Sequence, residues 1–393
     1  MPITVERPYD GLRVIDLTHE LGAYAGKLFA DLGADVIRVE PPGGRADRGQ
    51  PSAQGLGGNT RYSFANANKR SVAVDLSGPD GQAVLQDLVA NAAVVLLEAP
   101  EAALLPVVLS VPGPRVVTLI SHFGLDGPYA GYAASDLVTQ SLGGIAWMSG
   151  TPGEPPLRIA GNQAFTVASL YAGVATALAL FDVEVNGGGA HLIDVSAQEC
   201  IAHSLQNALQ VWDLESRVSV RGGEGTRDAT EQVLPCRDGH VFVASTLSIP
   251  ASWRALVAWM QQEGHPAGQR FAEPDWADRR TRTTGPMHRE FRALFGDFIA
   301  GRTMVELRAE ALARKIIMAP VSRIADLPDD PQLLFRRFFH DVPHPALGRS
   351  LRFPGAPYRL SEPVWHIDRP APLPGQHSTE LQPAATPLRR AGA

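Results

Sequence analysis

The sequence predicts an α/β protein: a Rossmann-like large domain with a mostly parallel sheet, plus a smaller α+β domain. Three observations predict it. Short β-rich runs alternate with helical periods through the first half, several of those runs are apolar throughout, and the texture changes from about Val233. Strands without polar alternation are what a parallel sheet covered on both faces requires.

The elements follow in chain order. Residues 12–17 form a β-rich run, 24–32 carry helical spacing, and 35–40 form a second β-rich run closed by Pro41-Pro42-Gly43-Gly44. That is a β-α-β unit. Next come a helical period at 81–91, an apolar strand at 93–97, and another strand at 115–120 before the turn His122-Phe123-Gly124. Residues 135–148 and 165–181 have the spacing of long helices, separated by a segment containing Pro152, Gly153, Pro155 and Pro156. The second includes Thr166, Ser169, Tyr171 and Thr176 and falls short of the ~20 residues that cross a bilayer. It is expected to be a buried, alanine-rich helix. A strand at 190–195 and a helix to about Trp212 complete the first part of the large domain, 1–220.

The small domain, 221–330, starts at a linker, Arg221 to Gly225. It opens with a strand pair, 232–236 and 240–244, turning at Arg237-Asp238-Gly239, and continues in charged amphipathic helices. From Pro331 the chain is proline-rich and expected to be mostly extended; residues 382–393 read as a disordered tail.

With 393 residues, 45% of them hydrophobic, the chain can fill two cores at the usual ~100–200 residues per domain. A net charge of -6 with both signs interspersed gives no footprint for nucleic acid or anionic lipid, so neither is an expected partner. Cys200 and Cys236 lack the spacing of zinc or disulfide frameworks, and no His–carboxylate group has metal-ligand spacing, so no metal is expected. A reducing compartment and a polar start, residues 1–10, point to the cytoplasm.

A set of ordered motifs carries a family resemblance. They are Gly11-Leu12-Arg13-Val14-Ile15-Asp16; Gly26 through Gly44; Asn66-Ala67-Asn68-Lys69-Arg70; Phe123 through Tyr129; Asp194-Val195-Ser196; Cys236-Arg237-Asp238-Gly239; Pro320-Val321; Phe353 through Tyr358; and Pro370 through His377. In order and spacing the chain resembles the family III CoA-transferases, the group containing formyl-CoA transferase, carnitine CoA-transferase and alpha-methylacyl-CoA racemase. The resemblance implies that CoA and acyl-CoA are substrates, with a carboxylic acid as acceptor. It also implies an interlocked dimer, homomeric or heteromeric, and a segment 331–381 that returns to the large domain. Catalysis in such a family runs through an aspartate that attacks the thioester and forms an anhydride.

Here the chain departs. Gly161-Asn162-Gln163-Ala164-Phe165 occupies the aspartate's place, and counting back from Gly173 puts either Asn162 or Gln163 in the slot. Neither amide is a nucleophile. The residues themselves admit two readings: an amide pair capping the helix, or polar groups lining an inherited acyl pocket. Two nucleotide anchors are altered as well. Glu40 is followed by Pro41-Pro42 where many members have arginine, and Glu98-Ala99-Pro100-Glu101 replaces a Glu-Asn-Phe-Arg-Pro-Gly-like turn.

The candidate CoA-binding residues are Arg38, Arg45, Lys69, Val74 and Asp75, with Arg48 beside the Gly43-Gly44 turn. Solvated surface is the alternative for the arginines, and a salt bridge the alternative for Lys69 and Arg70. His19 and Glu20 are expected to border the pocket. His122 is read as a satisfied structural histidine, Asp136 as a helix N-terminal charge and Asp194 as packing support. The glycine runs at 55–58 and 187–189 are read as turns. The expected function is that of an aspartate-less subunit of a heteromeric CoA-transferase. A self-sufficient enzyme of altered mechanism, or an acyl-CoA racemase or isomerase, is the alternative.

Overall fold

Val14, Ile15 and Leu17, Val36, Ile37 and Val39, and the whole of 94–97 and 116–120 are shut off from solvent, which is why these β-branched runs become central strands. The computed structural model describes residues 6–49, 59–113, 115–221, 227–345 and 348–380. The linker at 222–225, the glycine run at 55–58 and the tail at 382–393 lie outside the described residues.

The chain divides into two units: residues 1–149, 156–210 and 331–393 form the first, residues 150–155 and 211–330 the second. The division falls at residue 210, where 220 was expected, and the turn at 150–155 goes with the second unit.

In the first unit the elements are β1 (Arg13–Leu17), α1 (Ala23–Ala30), β2 (Asp35–Glu40), α2 (Thr60–Ala65), β3 (Arg70–Ala73), α3 (Pro79–Ala90), β4 (Val94–Glu98), α4 (Leu105–Leu109), β5 (Val116–Ser121), α5 (Asp136–Leu142), α6 (Gln163–Val185), β6 (His191–Ser196) and α7 (Ala197–Ser204). α8 (Gln206–Glu215) follows across the division. The six strands form one parallel sheet in the order β3-β2-β1-β4-β5-β6. β1 and β4 are neighbours, and the chain winds outward from them in opposite directions, so the switch of direction lies between them.

Three details differ from the sequence expectation. The helix expected over 135–148 is only α5, because Gly143 ends it and Gly144 takes a left-handed φ of +90°. The helix expected to Trp212 is two helices that part at Leu205. α6 is longer than expected and buried on one side only. Its small residues Ala164, Ala168, Ala172, Gly173 and Thr176 face inward, and Thr176 shares a 2.7 Å hydrogen bond with Thr118 of β5. Its large residues Leu170, Val174, Leu178, Phe181 and Val185 are exposed. Among the described residues α6 is long and apolar enough to cross a bilayer, but half of that stretch is buried in the protein.

The return segment carries more structure than expected: α14 (Pro331–Phe335) and an antiparallel hairpin of β10 (Phe339–His344) and β11 (Arg349–Pro354). Its last part ties onto β3 and α1. Asn68 N–H donates to Arg369 O, His366 N–H to Asp31 O, and Ser71 N–H to Nδ1 of His377.

The second unit holds β7 (Gln232–Cys236), β8 (Gly239–Val243), α9 (Pro250–Gln262), α10 (Ala267–Arg270), α11 (Arg279–Arg282), α12 (Gly285–Ile299), α13 (Met304–Arg314) and β9 (Met318–Pro320). The expected strand pair gains β9 as a third strand, giving an antiparallel sheet β7-β8-β9. Trp253, Trp259, Trp276, Phe271, Phe291 and Phe295 fill the core beside it. Arg282 is fully buried among them, with its guanidinium 4.2 Å from the Trp253 ring and bonded to Asp228 and Ser245 O.

Candidate functional site

A parallel sheet brings the carboxyl ends of all its strands to one edge, and open α/β sheets bind ligands there, at the point where strand order reverses. In this protein the point lies between β1 and β4. Asp16, near the end of β1, is fully buried and organises the layer just beneath that edge. Its Oδ1 accepts from Thr18 N–H at 2.9 Å, and its Oδ2 accepts from Lys69 Nζ at 2.6 Å. Lys69 also donates to Ala23 O at 2.7 Å and Asn66 Oδ1 at 2.9 Å. Gly26 is required here, since a Cβ would stand 2.7 Å from Asp16 Oδ2 and 3.1 Å from Lys69 Nζ. Burial lowers the Lys69 pKa, countered by Asp16. Burial pushes the Asp16 pKa up, but Lys69 and Arg38 together outweigh it and hold the carboxyl low.

The same layer holds two of the expected CoA-binding residues. Arg38 does not take the solvated-surface alternative. It is completely buried, donates to both oxygens of Asp47 at 2.7 and 2.8 Å and to Thr18 O at 3.1 Å, and lies over the Tyr62 ring. Lys69 takes the salt-bridge alternative. Each cation is paired with a buried carboxylate, Arg38 with Asp47 and Lys69 with Asp16, while Arg38 Nε has no hydrogen-bond partner. Arg48 donates to both oxygens of Glu40 and to Pro372 O, and Arg70 grips Asp35 at 2.6 and 2.8 Å. Val74 and Asp75 follow β3: Val74 N–H donates to Glu40 O at 2.8 Å, and Asp75 is exposed and accepts from Ser77.

Above this layer the loops after β1, β2 and β4 meet. His19 Nε2 lies 2.5 Å from Glu101 Oε2, and Arg45 Nη1 contacts both Glu101 and His19. Glu98, at the end of β4, accepts backbone N–H groups from His19 at 2.7 Å, Gly22 at 2.8 Å and Leu21 at 3.3 Å. It thereby fills the amide cradle ahead of α1. Burial raises its pKa to about 7, with the His19 charge and these amides pulling the other way. Glu20, the other expected border residue, gives its carbonyl to Arg61 Nη2 at 2.7 Å.

The start of α6 lies next to this edge: Ser169 Oγ donates to Leu21 O at 2.7 Å, and the Arg61 guanidinium sits 4.6 Å from the Phe165 ring. Asn162 precedes α6 in a left-handed conformation, φ 53° and ψ 54°, and its side chain makes no cap bond. It accepts from Arg158 Nη2, while Gln163 Nε2 donates to Ala160 O at 3.1 Å. The capping reading of the amides therefore gives way to a different arrangement. Asp136 does the capping: its Oδ1 accepts from Ala164 N–H at 3.0 Å, and its Oδ2 from Gln140 Nε2 at 2.6 Å, with Arg158 Nε at 3.3 Å. Asp136 thus stands beside the two amides with both carboxylate oxygens engaged on structure.

His122 shares a 2.8 Å bond with Thr139 Oγ1, and burial lowers its pKa, as befits a satisfied histidine. Asp194 accepts from Leu125 N–H at 2.8 Å and steadies the turn beyond β5. Sequence reasoning missed Arg61 and Arg158. Arg61 lies on a short helix without an apolar period, and Arg158 follows a proline run, so neither carried a local signal. Among the described residues no group of three or more His, Cys, Asp or Glu side chains could hold a metal.

A family model, CoA-transferase family III, matches residues 9–378. The chain belongs to CoA-transferase family III. It is 35% identical to succinyl-CoA:(R)-benzylsuccinate CoA-transferase subunit BbsE of Thauera aromatica, over 95% of this chain and 93% of the relative. It is 28% identical to succinyl-CoA–D-citramalate CoA-transferase of Chloroflexus aurantiacus, again over 95% and 93%. A CAIB/BAIF family protein from Brucella suis superposes with a TM-score of 0.84 at 25% identity, covering 96% of this chain and 99% of that one. Membership of CoA-transferase family III implies CoA thioesters as substrates.

Proposed function

We propose that the protein is the aspartate-less subunit of a heteromeric CoA-transferase that moves CoA from an acyl-CoA, such as succinyl-CoA, to a carboxylic acid. The observation that carries this reading is the start of α6. The relay implied by the family resemblance needs an anion that attacks the thioester and later leaves. Asn162 and Gln163 are neutral, and the adjacent Asp136 is held by Ala164 N–H, Gln140 and Arg158. The naming of the Thauera relative as a subunit supports an assembled state, as does the succinyl-CoA–L-malate CoA-transferase beta subunit of Chloroflexus aurantiacus, 27% identical over 96% of this chain. The exposed apolar row on α6, Leu170, Val174, Leu178, Phe181 and Val185, supports it too, since monomeric proteins seldom leave such a stripe to water.

In this reading Arg45, Val74 and Asp75 remain the CoA-facing candidates along the sheet edge, while Arg38 and Lys69 hold the floor beneath them. Purified alone and incubated with succinyl-CoA, the protein is expected to yield no succinyl or CoA adduct on any carboxylate by peptide mass spectrometry. A trapped adduct at Asp136 or any other acid would give this chain a nucleophile of its own.

A further inference from the structure

The crevice between β1 and β4 contains two places suited to an anion; the last residue of β4 fills one and the turn after it fills the other. The first is the amide cradle formed by His19, Leu21 and Gly22, occupied by Glu98. The second is the pair Arg45 and His19, occupied by Glu101. Glu98 is deeply buried and cannot leave without exposing three amides. Glu101 is different: its side chain keeps 15% of its surface in contact with solvent, on a short turn that follows the strand.

Arg45 is held as a platform. Its side chain is only 6% exposed, Nη2 donates to Val39 O at 3.0 Å, and its buried Nε–H has no partner. A guanidinium fixed in this way presents a donor set suited to phosphate or carboxylate at little entropic cost. Burial tends to raise the Glu101 pKa, but His19 and Arg45 outweigh it and keep this carboxylate ionised.

We propose that Glu101 sets ligand specificity as an internal anion, competing for Arg45 and His19 with the phosphate of an incoming CoA ester and so weakening CoA binding at this chain's own crevice. The inference rests on the CoA-transferase reading for the identity of the ligand, though not for the competition itself. A phosphate reaches Arg45 only by displacing Glu101, which costs one charge-assisted ion pair for the one it forms.

Isothermal titration with two probes, inorganic pyrophosphate and CoA, tests it on the wild type, Glu101→Gln and the double variant Glu101→Gln/Arg45→Met, with Glu101→Ala in reserve should glutamine not fold. Releasing Arg45 is expected to tighten pyrophosphate binding roughly tenfold or more, and the double variant to lose the gain. Unchanged pyrophosphate affinity in the folded single variant, or a gain that survives removal of Arg45, overturns the proposal. Tighter pyrophosphate with no CoA binding in any variant retains the competition and defeats the CoA reading. CoA binding that ignores Glu101 does the reverse.

Discussion

Lys69→Met is expected to cost roughly 3–5 kcal/mol of folding stability, because it strands Asp16 as an unpaired buried charge. Both side chains are wholly inaccessible, and Nζ also satisfies Ala23 O and Asn66 Oδ1. The second change Asp16→Asn, made on top of the first, is expected to recover more than half of the loss, since the uncompensated carboxylate is then gone. Urea unfolding followed by circular dichroism measures both. A loss below about 1 kcal/mol, accompanied by weaker CoA binding, would return Lys69 to the role of a direct phosphate ligand.

The largest effect on activity is expected to be asymmetric. In an assembly of this chain with an aspartate-bearing homologue, changing the homologue's aspartate to asparagine is expected to slow CoA transfer roughly 10³- to 10⁶-fold, the usual range for loss of a nucleophile. Asn162→Ala and Gln163→Ala in this chain are expected to change the rate by less than about tenfold, because neither amide takes part in bond making. Asn162 bonds Arg158 and Gln163 bonds Ala160 O, so both substitutions act on a local turn. Initial rates with succinyl-CoA and the acceptor acid decide it. Comparable losses on the two sides would place chemistry at this α6 as well.

The sheet was legible because its central strands are short, β-branched and largely apolar, a pattern that survives in one dimension. The α6 surface was not. Its inward face is built of alanine, glycine and threonine and its outward face of leucine, valine and phenylalanine, so hydropathy cannot say which side is covered. The ends of α5 and α7 depended on Gly143-Gly144 and on a break at Leu205 inside otherwise helical spacing.

At the site, the amides at 162 and 163 were visible in the sequence because they interrupt a recognisable series of motifs. Their surroundings were invisible, because the partners lie far away along the chain. Lys69 and Asp16 are 53 residues apart, Arg45 and Glu101 56, and Asp136 reaches Ala164 across 28. Arg38 shows the same limit: a basic residue near a glycine turn says nothing of Asp47 and Tyr62, which enclose it.

The central claim is that this chain depends on another subunit for its chemistry. The direct measurement is exchange of isotopically labelled CoA between succinyl-CoA and free dicarboxylic acids, run with the purified chain alone and again with an aspartate-bearing homologue added. The account predicts background exchange from the chain alone and turnover that appears on mixing, saturating at a fixed ratio of the two proteins. Exchange by the lone chain at a rate equal to that of the mixture would contradict it.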